Sequence, residues 1–402
     1  MRDWRLGRLD EKDTVHFCGL VHHPENGAVV FLPREARTGV LGEDLQTASM
    51  TMRALARFGN ETSKREFDDD GEAGNPSALS VIKRLADDFR DHGLFSERTR
   101  QHTKNSGKPD WVRTIKREIA MPNRKDQPIF TEICSSRATN TSKTLLAQIQ
   151  AAVLREILAT HGWWLLGIKA KKNELISCQT PSFPKSIWVR KLDALLPSLY
   201  SSRSVFLAEY LRFYLSETRS STNGSFVFGV SDFHTVWETI LQKVIVRSSH
   251  DQRRNWNSEL PKPVYIHKND GAHDARSRGM QTDLILEDPS GYTIVDAKYY
   301  AAKNASSAPG WPDISKQLFY EKALRILVDT DANSPTKIRN VFAFPGEKSA
   351  GPLHRVEMQT STGSSTKISD FQRIDCVYIS MRDALHQYAT MTQKIIIPNS
   401  DL

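Results

Sequence analysis

Gln281-Thr-Asp-Leu-Ile-Leu-Glu-Asp-Pro-Ser-Gly-Tyr-Thr-Ile-Val-Asp-Ala-Lys-Tyr-Tyr300 is two apolar runs separated by Glu287-Asp-Pro-Ser-Gly291, a turn by composition. The stretch reads as a β-hairpin. Centring the turn between Pro289 and Ser290 puts Asp283 directly opposite Asp296, with Cβ atoms roughly 5 Å apart. Period-2 alternation places Tyr292, Ile294, Asp296 and Lys298 on one face and Thr293, Val295 and Ala297 on the other. Facing carboxylates repel and raise one another's pKa unless a divalent cation lies between them, and hard oxygen donors suit Mg²⁺, with Mn²⁺ as an alternative. An Asp-x-Lys taken alone reads equally as the solvated face of a surface hairpin; the opposed Asp283 is what favours a metal site.

Asp283, a turn and then Asp296-Ala-Lys298 resembles the core of the PD-(D/E)XK nucleases, with Thr282 where that superfamily often has proline. The resemblance implies Mg²⁺-dependent hydrolysis of a nucleic-acid phosphodiester. It implies metal ligation by Asp283, Asp296 and the Ala297 carbonyl, and a catalytic role for Lys298. A glutamate on the helix before the hairpin often completes such sites. Glu238 takes that place here, within a helix expected through Phe233, Val236, Trp237, Ile240, Leu241 and Val244. After the hairpin, Trp311-Pro-Asp313 looks like a helix entrance, and Gln317 and Tyr320 lie one turn apart beyond it. They resemble the Gln and Tyr that help orient the lysine or hold a backbone phosphate in many of these nucleases. Polar residues on a helix surface are the bland reading of the same pair, as a solvent-facing glutamate is for Glu238.

The chain has 402 residues, enough for more than one core, and a formal net charge of +8, which suits a polyanionic partner such as DNA. Its four cysteines, Cys18, Cys134, Cys178 and Cys376, form no Cys-x-x-Cys pair, which argues against a zinc module or a disulfide framework. The first residues lack an apolar signal core, and the longest greasy run, Trp163 to Ile168, is too short to span a bilayer. No membrane association and a cytoplasmic location are the expectations. A phosphate-binding Gly-x-x-x-x-Gly-Lys-Ser/Thr loop is absent, so any nucleotide would be hydrolysed by another chain.

Working outward, His16–Val21 and Ala28–Leu32 are β-prone runs around a turn, and residues 1–75 are expected to form a β-rich module. Residues 76–225 are expected to be mainly helical, opening with a helix carrying Leu79, Ile82, Leu85 and Phe89 and closed by Gly93. Between Arg98 and Lys125 the chain carries Arg98, Arg100, Arg113, Lys116 and Arg117 among nine basic residues, against Asp110 and Glu118, with Trp111 interleaved. This segment is a candidate for tracking phosphates, for docking an acidic partner, or simply a solvated basic face. Residues 226–402 are expected to form the nuclease domain. A strand at Pro263–Ile266 should precede a loop at the mouth of the site, where Arg276 and Arg278 would meet phosphate.

Leu-Phe-Ser-Glu-Arg-Thr-Arg from position 94, followed by Lys108-Pro-Asp-Trp-Val-Arg-Thr-Ile115, is also similar to a stretch of the LlaJI-type restriction subunits, the non-motor partners of McrBC-related systems. That resemblance implies an α/β (α+β) chain ending in a mixed-sheet, restriction-endonuclease-like core. It further implies a DNA endonuclease subunit of an anti-phage defence system working with a separate AAA+ GTPase motor. A homo-oligomer is compatible with it. Two other readings remain open: a non-catalytic DNA-binding or motor-stimulating subunit, and a resolvase- or transposase-type nuclease of the same fold.

Overall fold

The computed structural model describes residues 16–23, 27–69, 78–165, 172–220, 226–246, 254–268, 271–274, 279–329, 336–346, 351–360, 368, 370–392 and 394–397. The chain divides into two compact units, one made of residues 1–79 with 225–402, the other of residues 80–224. The N-terminal strands β1 (Cys18–His23) and β2 (Gly27–Phe31) pair antiparallel as expected, and helix α1 (Leu41–Asp69) follows. The expected β-rich module is therefore a short hairpin followed by 29 helical residues. Its buried residues Met52, Leu55 and Ala56 recur at helical spacing.

The second unit begins within α2 (Ala78–His92). It continues through β3 (Glu97–Lys104), β4 (Lys108–Pro109), α3 (Trp111–Arg117), β5 (Ala120–Pro122), β6 (Pro128–Phe130) and β7 (Cys134–Thr141). Four helices complete it: α4 (Leu145–His161), α5 (Lys172–Ser177), α6 (Trp188–Leu195) and α7 (Ser202–Ser220). The second half is helical as the sequence predicts, but residues 97–141 are built around the sheet β3-β7-β4. The strands Glu-Arg-Thr-Arg-Gln-His-Thr-Lys and Cys-Ser-Ser-Arg-Ala-Thr-Asn-Thr hold only Cys134 and Ala138 as apolar residues, too few for the period-2 signal that reveals a half-buried strand.

The chain returns to the first unit with β8 (Phe226–Val230), α8 (Phe233–Val244), β9 (Ile245–Val246), β10 (Val264–His267), β11 (Gly271–Asp274), β12 (Leu284–Asp288) and β13 (Gly291–Ala297). After these come α9 (Trp311–Val328), β14 (Ile338–Pro345), β15 (Arg355–Val356), β16 (Ile374–Ile379), α10 (Met381–Thr390) and β17 (Ile395–Ile396). Strand β8 pairs antiparallel with β1, which ties residues 18–23 to the same unit as the C-terminal half. Helix α1 packs on α10, where Arg57 Nη1 donates to Tyr388 O at 3.3 Å and Arg382 Nη1 to Glu43 Oε2 at 2.8 Å.

The central sheet has the order β12-β13-β14-β16-β15 and is mixed. Strand β13 runs antiparallel to β12 and parallel to β14, β14 runs parallel to β16, and the short β15 is antiparallel at the edge. Helix α9 makes the crossover between the parallel strands β13 and β14, as a parallel connection requires. The strand expected at Pro263–Ile266 exists as β10, but it pairs only with β11 in a two-stranded sheet apart from the central one. Cores on the two halves of the sheet gather Ile285, Ile294, Tyr320, Leu324 and Ile338 in one cluster, and Phe342, Phe344 and Ile374 in another.

Candidate nuclease site

The hairpin register is the one the turn dictates. Leu284 faces Val295 and Asp288 faces Gly291, which leaves Pro289 and Ser290 at the tip and carries Asp283 opposite Asp296. Asp288 Oδ1 closes the turn by accepting from Ser290 N at 2.9 Å and Ser290 Oγ at 2.7 Å. Gly291 has φ +126°, and a Cβ there would overlap the Lys337 carbonyl oxygen, which accepts from Tyr292 N at 2.8 Å.

Asp283 Oδ2 accepts from Ala297 N at 2.8 Å, fixing one carboxylate across the end of β13. Asp296 is buried, and its Oδ2 forms an ion pair with Lys298 Nζ at 2.9 Å. Lys298 Nζ also donates to Asp313 Oδ1 at 2.7 Å, and it stands 6.0 Å from the centre of the Phe342 ring.

Two helices hold this arrangement. Gln242, one turn beyond Glu238 on α8, donates through Nε2 to Asp283 O at 2.9 Å, so this face of α8 meets the start of the hairpin. On α9, Gln317 Nε2 donates to Ile294 O at 3.1 Å and the Tyr320 hydroxyl donates to Gln281 O. Both side chains are buried, and Gln317 and Tyr320 bond the main chain at the hairpin. Asn257 clamps the residue before Asp283, accepting from Thr282 N at 2.9 Å and Thr282 Oγ1 at 2.8 Å and donating to Thr282 O at 3.0 Å.

The electrostatics are those of crowded carboxylates. Burial first, then the charge of Asp296, pushes Asp283 up to about 7, against the bond from Ala297 N–H, which lowers it. Glu238 is half-buried on α8 and is raised by burial first, with Asp296 adding to the rise and His234, Lys298 and Lys316 opposing it. Burial by itself would lower Lys298, but Asp296 and Asp313 more than offset it and hold the ammonium above its ordinary value.

Sequence reasoning missed Asp313 and Lys316. Asp313 lies in the first turn of α9 and looks like part of a helix entrance until the fold brings it to Lys298. Lys316 is exposed, stands 5.4 Å from the centre of the Tyr320 ring and is raised by Tyr320, Asp296 and Asp283 against the lowering effect of burial. Its only sequence signal is its place one turn from Asp313 on the same helix.

Arg98 and Arg100 lie on β3, where their side chains fall outside the described residues, and Arg113, Lys116 and Arg117 lie on α3. All five belong to the second unit. Arg276 and Arg278 lie outside the described residues. Among the described residues no three His, Cys, Asp or Glu side chains gather closely enough to form a full metal cage. The donors still fit a hard cation that keeps several waters: two opposed carboxylates, each adding to the negative charge around the other, with a half-buried glutamate beside them. Asp283 and Asp296 are the residues that would hold it, with Glu238 nearby.

A family model of the LlaJI restriction endonuclease matches residues 17–360. The chain belongs to this family. The match spans both units, so the LlaJI pattern covers the strand-rich basic segment as well as the hairpin. A curated relative, the type II restriction enzyme BsuMI component YdjA of Bacillus subtilis (strain 168), is 27% identical over 170 residues. That similarity takes in 40% of this chain and 33% of the relative, so the chain spans about a third of the relative's length. Among solved structures, the cryo-EM structure of the Thermococcus gammatolerans McrBC complex aligns with a TM-score of 0.27 and 16% identity over 57% of this chain and 65% of that one. Among the described residues, no helix of this LlaJI family member is long and apolar enough to cross a membrane.

Proposed function

We propose that the chain is the nuclease subunit of a restriction system: a Mg²⁺-dependent DNA endonuclease, with Mn²⁺ able to substitute, that works beside a separate AAA+ GTPase motor. The observation that carries this reading is the hairpin cluster, in which Asp283 and Asp296 face each other beside a lysine held by two carboxylates. A bound Mg²⁺ supplies Lewis acidity to the phosphate and a low-pKa water. The chain's own groups do the rest. Asp283 and Asp296 offer hard oxygens. Lys298, kept protonated by its neighbours, offsets charge gathering on the phosphorane oxygens and orients the attacking water. Lys298 therefore acts as a charge, and the water loses its proton to solvent or a neighbouring carboxylate such as Glu238. In-line attack breaks the bond to the 3′ oxygen and leaves a 5′ phosphate.

The motor is assigned to the second unit. There Val112, Ile115, Ile119, Met121 and Ile129 are each at least half exposed, interleaved with the basic Lys116, Arg117, Arg124 and Lys125. Exposed apolar side chains in such number favour a protein partner over phosphates alone.

The test is cleavage of supercoiled plasmid by Lys298→Ala. Cutting should fall at least about a hundredfold, the scale set by losing one group that stabilises transition-state charge. DNA binding in gel shifts and the melting temperature should change little. Undiminished Mg²⁺-dependent nicking by this variant would sink the assignment.

A further inference from the structure

Strands β10 and β11 pair with each other, Val264 facing Asp274 and His267 facing Gly271, and with no other strand among the described residues. A two-stranded ribbon is marginal in water unless something packs against it. Little covers β10: Val264 is 52% exposed, Tyr265 73% and Ile266 81%. Successive strand residues point to opposite faces, so these three leave both faces of the strand open. Three consecutive large apolar side chains are thereby held in water.

The ribbon is rooted at the hairpin that carries Asp283. On the entering side Trp256 and Leu260 are buried, and on the returning side Met280 packs against the same cluster as Trp256. Asn257 bonds Thr282, the residue before Asp283. A Cβ on Gly279 would overlap Lys262 Cγ, so the stem of Lys262 lies against the returning chain. The path from Asp283 to Gly279, across Lys262 and out along β10 to His267 spans on the order of 35 Å at most. One turn of duplex DNA is about 34 Å long, so the ribbon lies within about one turn of the place where a phosphodiester would be cut.

Shape and charge decide the occupant. Neighbouring strands lie about 4.8 Å apart, and a ribbon two strands wide fits a major groove about 12 Å across, whose walls meet both of its faces. A protein partner would cover one broad face, as the apolar patch around α3 offers. Lys262 and Lys268 are exposed just before and just after β10, with no ion-pair partner among the described residues. From 262 to 278 the sequence carries Lys262, Lys268, Arg276 and Arg278 against Asp270 and Asp274, a balance that suits a polyanion.

We propose that the β10–β11 ribbon is a DNA-reading element: it enters the major groove beside the cut, with Lys262 and Lys268 on flanking phosphates and Tyr265 and Ile266 against base edges. It rests on the nuclease reading above for its substrate. Apolar side chains in the major groove recognise the thymine methyl group, so the ribbon biases cutting toward sites with thymine within about one turn.

The experiment uses the full chain and a random-sequence pool of duplexes several turns long, with affinity read by gel shift in chelator and cut positions mapped in Mg²⁺. The double variant Tyr265→Ala/Ile266→Ala should bind about 10- to 100-fold more weakly, the scale of losing base contacts, and lose the thymine bias with its salt dependence unchanged. Lys262→Ala and Lys268→Ala should each lower the slope of log affinity against log salt by about 1 and keep the bias. Full affinity and an unchanged cut pattern in the apolar variant would overturn the proposal. Loss of a motor subunit or of a second copy with DNA affinity intact would overturn it too, by making the ribbon a protein interface. Should the apolar variant melt lower than wild type, the lysine variants decide, and unchanged salt slopes would count against the ribbon. Wild type that binds duplex but never cuts it would overturn the nuclease reading and leave the ribbon's role standing.

Discussion

Asp283 shows how crowded, buried carboxylates burden the protein that carries them. Its carboxyl takes up a proton near pH 7 in the native chain and near pH 4 in an unfolded one. Between those values the native state holds more protons, so without metal it loses stability as pH rises through that window. Asp283→Asn keeps an oxygen acceptor for Ala297 N–H and removes the repulsion. With chelator present, its melting temperature should exceed that of wild type at pH 7.5 and match it near pH 4, while Mn²⁺ binding is lost. A variant less stable than wild type at pH 7.5 would contradict the crowding argument. The opposed pair was legible in the sequence because a two-residue turn fixes every facing pair above it. Asp313 was not, since nothing in Trp-Pro-Asp tells a helix-entrance aspartate from one that binds a lysine 15 residues earlier.

Among elements, the hairpin, α8 and α9 follow from apolar spacing and turn residues, and the helices lie against the hairpin through side chains that bond its main chain. Gln317 and Tyr320 illustrate what sequence conveys at this scale: their position one turn apart was visible, whereas their bonding to backbone carbonyls depends on how deeply α9 seats. Asn257 was invisible for a related reason, since a lone Asn in a short 3₁₀ turn carries no pattern. It is nonetheless the clamp on the entry to β12. Asn257→Ala leaves the Thr282 N–H and C=O without those bonds and should cost about 1–3 kcal/mol. The readout is a lower urea midpoint at unchanged slope in equilibrium denaturation. Strands β3 and β7 escaped the sequence reading because Cys134 and Ala138 are their only apolar residues, so pairing with each other more than an apolar pattern defines them.

For the whole molecule, the sequence located the hairpin with its opposed aspartates but not the partnership between chain segments far apart. That β8 pairs with β1 is a property of tertiary structure, since either strand alone is only a short β-prone run. The proposed docking of a motor on the second unit leads to a separate expectation. Ile119→Asp, at a position 84% exposed, should abolish co-purification with the motor subunit. It should leave Mn²⁺ binding at the hairpin and the melting temperature intact; retained co-purification would remove α3 and its neighbours from the motor interface.

The pairing of Cys18 with Val230, and the place of β16 in the central sheet, also set a timetable for the ribosome. The first strands must wait for more than two hundred further residues before their partner exists, tens of seconds at ordinary rates of synthesis. The hairpin β12-β13 cannot be backed by its full sheet until Ile379 has been made. A nascent chain thus carries Asp283, Asp296 and Lys298 on a hairpin whose supporting strands β14 and β16 are still to be made.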